Sequence, residues 1–210
     1  MFATLRVVVF LSVLGASVSE AQEPLVPRKL ALGFSVALPT HWAVVTSLGP
    51  AQRLVDSVFR RSEDPDTALQ AALRSGQYLV VMVAADTARG LSANLNVVPV
   101  TGATATTFDA YGVNELEAHT ANVCRVLANM LRRSGGTLGP CGPATRDTLG
   151  GHALVLLVYE RTDSGGSNRV WLAQYAMPGA IVSLTLIARQ AEADSVTPLM
   201  ERLWRSVRLP

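Results

Sequence analysis

Three histidines are the first residues to weigh for chemistry: His41, His119 and His152. Glu115 and His119 stand four apart, so in a helix they share a face and offer two candidate metal ligands. Neither an H-x-x-x-H nor an H-E-x-x-H spacing accompanies them, and an exposed helix face with an incidental Glu–His pair is the simpler account. Gly33-Phe34-Ser35-Val36-Ala37 is the nearest approach to a serine-hydrolase elbow. It lacks the second glycine and the helix that should follow, which leaves Ser35 as an outward strand residue. The segment Ser134–Gly142 holds four glycines but precedes a strand, so it has no helix N-terminus with which to cradle a phosphate. Paired carboxylates for glycoside chemistry cannot be picked out, because spacing in sequence says nothing about separation across a cleft. The sequence therefore offers no catalytic residue, no cofactor-binding residue and no metal set, and no cofactor is expected.

Arginines gather at Arg60-Arg61, at Arg132-Arg133, and at Arg202, Arg205 and Arg208. An anion-binding surface is one reading. The other places each group in the last turns of a helix, where cations offset the helix dipole. Lys29 is the sole lysine and no aromatics interleave with the arginines, so nucleic acid is not an expected partner. Trp42, Trp171 and Trp204 fall on apolar faces and read as core.

The elements that must position these residues lie in a chain of 210 residues, 49% hydrophobic and 16% charged, with a formal net charge of +2. That composition excludes disorder, a collagen-like repeat and a coiled coil, and suits one domain with a full core. Arg6, the apolar run from Val7 to Ala16, and the small residues Ser19 and Ala21 read as a signal peptide over residues 1–21. The run is about half the ~20 residues a spanning helix needs. Ser17 stands where a lipoprotein would require cysteine. A periplasmic or secreted protein, without an integral membrane segment after cleavage, is the expectation. An exported chain with two cysteines suggests a Cys124–Cys141 disulfide, the alternative being two unpaired thiols.

Residues 22–29 carry two prolines and no period, and read as a flexible leader to a single domain over 30–210. Leu30–Leu38 alternates as a strand and Trp42–Thr46 is a second. Helices are expected from Pro50 and from Asp64 to Gly76. Tyr78–Ala85 is apolar on both faces, as in a central strand. Leu95–Val100 contains Pro99 and suits an edge or a strand end. The longest helix spans Phe108–Arg133, with Leu116, Thr120, Val123, Leu127 and Met130 on one stripe and Gly112 a weak point. A Gly- and Pro-rich loop, Ser134–Gly151, separates it from the meander His152–Glu160, Arg169–Met177 and Ala180–Arg189. Thr197-Pro198 opens a final amphipathic helix. The order predicts an α+β fold, an antiparallel β-sheet with helices packed on it, with the Leu30–Leu38 strand and the meander in one sheet.

Gly33-Phe34-Ser35-Val36-Ala37-Leu38-Pro39 leading into His41-Trp42, with Gly150-Gly151-His152-Ala153, the meander and the closing helix, resembles the PsbP-like superfamily. The resemblance covers nearly all of residues 30–209 and rests on apolar residues and turns. It implies a PsbP-like α/β/α sandwich, and a role in binding or assembly in place of catalysis.

Two functional readings follow. The first is an exported soluble binding or assembly factor of the bacterial envelope, with an envelope protein as partner. Its candidate interaction surface is the polar side of the long helix, Glu115, His119 and Asn122, with the Ser134–Gly151 loop beside it. The second is a carrier or enzyme with a pocket between the sheet and the long helix for a small hydrophobic ligand.

Overall fold

The computed structural model describes residues 23–46, 79–100 and 108–210. The signal peptide and the two helices expected between Pro50 and Gly76 lie outside the described residues.

Alternating apolar side chains and tight turns fold the second half of the chain into a meander, β8 (His152–Asp163), β9 (Gly166–Met177) and β10 (Ala180–Arg189). Every pairing in it is antiparallel. Strand β10 continues the sheet through β5 (Leu91–Pro99) to β4 (Leu79–Asp86) and β3 (Ala43–Thr46). β5 is thus an interior strand that starts at Leu91, and Pro99 sits at its end, where no ladder bond from its nitrogen is needed.

Two further strands arise inside the segment expected as a loop. β6 (Thr137–Cys141) and β7 (Thr145–Leu149) both pair with the outer edge of β8, one behind the other. Glycines and prolines kept the apolar period out of sight there, and an edge position tolerates both.

The opening of the domain departs from expectation more strongly. Leu25–Lys29 is not a flexible leader: it forms β1, paired antiparallel with β2 (Ser35–Pro39) in a separate two-stranded sheet. Leu30–Leu38 is therefore not a strand of the main sheet. Its first part is a 3-10 turn at Ala31–Gly33, where Leu32 takes φ 60° and Gly33 φ 77° and the chain reverses. Alternation survives through the turn because Leu32, Phe34, Val36 and Leu38 all enter the core.

Among the described residues, one helix packs on each face of the sheet. The α1 helix (Val113–Arg133) begins five residues later than expected, with Phe108–Ala110 in a turn and Gly112 as its N-cap. The Gly112 nitrogen donates to Glu115 Oε2 at 2.9 Å, so the weak point is its cap. Leu116, Val123 and Leu127 meet Val155, Leu157, Tyr159, Val170 and Leu172 on one face. Met130 does not continue that stripe: it is 61% exposed, and Leu131 is the buried residue at 8%. A 3.5-residue spacing drifts around a 3.6-residue helix, so the core-facing position has moved on by the last turn.

The α2 helix (Ala193–Arg205) covers the other face with Val196, Leu199, Met200, Leu203 and Trp204. It starts four residues before Thr197, with Pro198 inside it. The proline withholds one intrahelical bond, and burial of the apolar stripe outweighs that loss. The β1–β2 pair packs into the same core. Its outer edge is bridged to the C-terminal segment, with the Arg208 nitrogen donating to the Ser35 carbonyl at 2.8 Å and the Ser35 nitrogen to the Arg208 carbonyl at 3.1 Å.

Candidate functional site

The three residues of the expected interaction surface are not equivalent. Glu115 spends a carboxylate oxygen on the helix cap. His119 turns inward: its Nε2 donates to Gln174 Oε1 of β9 at 2.8 Å, and its ring meets those of Phe108 and Tyr111 at 5.8 Å between centroids. The sheet register causes this, since Gln174 alternates with Leu172 and Ala176 on the face that α1 covers. Asn122 is exposed and accepts from the Arg125 guanidinium at 2.7 Å. One and two turns further along the same flank lie Val126, 44% exposed, and Met130. The sequence signal for them was the spacing Asn122, Val126, Met130, four apart each time, which shares one helical flank with Glu115 and His119.

Around this flank the chain is tied down. Thr120 Oγ1 donates to the Leu116 carbonyl and accepts from the Ala144 nitrogen at 2.9 Å, which joins α1 to the β6–β7 link. Arg146 donates to the carbonyls of Asp109 and Tyr111 just ahead of the helix. Cys124 and Cys141 stand at disulfide distance, with Cα atoms 6.4 Å apart, between α1 and the end of β6. The expected loop beside the helix is therefore two sheet strands fastened to it.

Glu115 and His119 do not converge on a common point, because each is engaged elsewhere. Among the described residues no group of three His, Cys, Asp or Glu is arranged to hold a metal ion. His41 pairs through Nε2 with Asp86 Oδ2 at 3.1 Å and through Nδ1 with Glu23 Oε1 at 2.9 Å. The two carboxylates lie on opposite sides of the ring, an arrangement that ties Glu23 and the β1 segment to the end of β4. Ser35 pairs its main chain with Arg208 and has no acid–base partner in the described hydrogen bonds.

A concavity among the described residues lies on the face opposite α1, a groove of about 370 Å³ between α2 and the β7 edge. Leu156, Val158, Trp171 and Trp204 form its floor, and Thr145, Arg146, Asp147, Thr197, Glu201 and Arg205 rise around it. This groove lies against the short helix, on the face of the sheet opposite the long helix where a pocket was expected. Sequence reasoning missed it because its walls come from β7, β8, β9 and α2. Trp171 and Trp204 are core residues, as expected, and they also line the groove.

With that geometry described, comparison with known proteins decides the fold. The solution structure of the cyanobacterial PsbP protein, CyanoP, from Synechocystis sp. PCC 6803 superposes with a TM-score of 0.59, covering 90% of this chain and 94% of that one at 12% identity. The fold is PsbP-like. A crystal structure of a protein of unknown function from Pseudomonas aeruginosa aligns over 89% of this chain and 96% of that one, at 15% identity and a TM-score of 0.37. No family model and no curated protein matches the sequence. No helix among the described residues is long and apolar enough to cross a membrane. The PsbP-like likeness is one of backbone architecture, and carries no residue's role with it.

Proposed function

We propose that the chain is an exported, non-catalytic binding or assembly factor of the bacterial envelope, acting through the flank of α1. The observation that supports this is the exposure of Val126 and Met130 one turn apart, beside the polar Asn122 and Glu115. A solvent-facing apolar pair with a polar border has the composition of a small protein-binding patch. Methionine adapts to irregular partner surfaces, which suits an interaction that tolerates some variety of contact. The helix beneath is held rigid by the sheet, by Thr120 and by the Cys124–Cys141 pair, so the patch costs little to order on binding.

The test is site-specific cross-linking from a photoreactive residue at position 130 in cells, with position 114, on another side of α1, as control. A single adduct from position 130 that Val126→Asp abolishes is the expected result. Reproducible turnover of an ester, phosphate, peptide or glycoside substrate, lost on substitution of one polar residue in a folded protein, would overturn the reading.

A further inference from the structure

The groove on the α2 face has features that the helix flank does not use. Leu156 and Val158 belong to the apolar side of β8 that α2 covers elsewhere, but near the β7 edge the helix has passed and both stay partly exposed. Trp171 and Trp204 complete that floor. At about 370 Å³ the groove falls at the low end of the ~300–1,000 Å³ range of small-molecule sites.

Its charge follows from the register. Thr145 faces Leu156 and Asp147 faces Leu154 across the β7–β8 ladder, so both side chains stand on the groove side. Arg146 faces Val155 on the other side of the sheet, and its guanidinium reaches the carbonyls of Asp109 and Tyr111. Arg146 also lines the groove, but its guanidinium is turned away to those two carbonyls, so the charged groups directed at the groove are Asp147, Glu201 and Arg205. Arg205 lies over the Trp204 ring, 4.2 Å from its centroid. From there it reaches Asp147 Oδ2 at 3.1 Å and Glu201 Oε1 at 3.2 Å. Two carboxylates thus share one guanidinium, and the rim keeps one negative charge in excess above an aromatic and aliphatic floor.

We propose that this groove binds small amphiphilic cations, ligands with a compact apolar or aromatic body and one ammonium group. The body lies on Leu156, Val158 and the two tryptophans. The ammonium sits at the Asp147–Glu201 rim, taking up the charge that Arg205 leaves unbalanced. The inference rests on the reading of the chain as a binding domain, and assigns it a second site on the opposite face of the sheet.

Isothermal titration of the folded protein with three isosteres tests it: 4-phenylbutylammonium, 4-phenylbutanol and 4-phenylbutanoate at neutral pH. Saturable 1:1 binding of the ammonium, at least tenfold tighter than the carboxylate with the alcohol between, is the expected order. Asp147→Asn should shrink the ammonium's advantage over the alcohol. Val158→Trp, which fills the floor, should abolish binding, and Thr145→Trp at the exposed rim provides a second blocking variant should the first disturb the strand. Equal affinity for ammonium and carboxylate, unchanged binding in a folded Thr145→Trp variant, or no saturable binding of the ammonium would each overturn the proposal. None of these substitutions touches Val126 or Met130, so a failure here leaves the cross-linking result intact, and the converse holds as well.

Discussion

Tyr175 Oη donates to the main-chain carbonyl of Trp204 across 2.6 Å, inside the core. A side chain near the end of β9 thereby fixes the last turn of α2 and, with it, the floor and rim of the groove. Tyr175→Phe should cost about 1 kcal/mol, the ordinary net value of a neutral hydrogen bond. The Trp204 carbonyl still receives the longer bond from the Val207 nitrogen at 3.4 Å, which keeps the loss from rising to that of a fully orphaned group. Urea unfolding of the two proteins measures the difference.

The same tyrosine gives the stability an alkaline limb. Burial pushes the Tyr175 phenol above the usual tyrosine range, against the weaker opposing pull of Arg205 and Arg208. Burial also raises Tyr159, opposed by Arg161. In the unfolded chain both ionise near ~10. Their contribution is fully present below that pH, and it falls above it, because the unfolded chain then releases protons that the folded one keeps. Unfolding midpoints measured from pH 8 to 11 should decline beyond pH ~10, and Tyr175→Phe should flatten the decline.

A Cys124–Cys141 bond closes a loop with a sequence separation of 17. The loop-entropy model assigns such a closure about 3 kcal/mol. Thiol titration of the unfolded, unreduced protein should find no reactive thiol, and Cys141→Ser should lower the unfolding midpoint accordingly. Two reactive thiols per chain would exclude the bond.

Gly136 stands where α1 hands over to β6, and a Cβ there would lie 2.8 Å from the Thr162 carbonyl of β8. The obstacle is main chain, which cannot swing aside. Gly136→Ala should destabilise by about 1–3 kcal/mol, the range for overpacking, as read from thermal unfolding.

Met130→Asp should leave stability within about 0.5 kcal/mol, since the side chain is mostly in water and no core contact is lost. Cross-linking from a photoreactive residue placed at position 126 should fall away in the same protein. Loss of stability in place of loss of the adduct would mark Met130 as structural.

The meander was legible because β8, β9 and β10 are neighbours in sequence, strictly periodic, and joined by turns with their own residue signals. Cys124 and Cys141 were legible as a pair because the chain holds no other cysteine. What escaped was whatever depends on a distant partner. β1 carries a proline and two cations within five residues, and only its ladder with β2 makes it a strand. β6 and β7 are strands because the edge of β8 was free to receive them. Met130 was misplaced by a periodicity carried one turn too far. The groove left no trace in the sequence, since Asp147, Trp171 and Arg205 meet only once four elements have assembled.

The bridge between Ser35 and Arg208 bears on when the domain can close. Ser206 Oγ accepts from the Ala37 nitrogen at 2.9 Å, a contact between residues 169 positions apart. β5 also waits for β10 before it has a neighbour on that side. Pairings of such long range form slowly, and here they require the final helix and the residues after it. A ribosome that has released only the first three quarters of the chain has released nothing that can shut. The core is complete only once the last segment has arrived to close it.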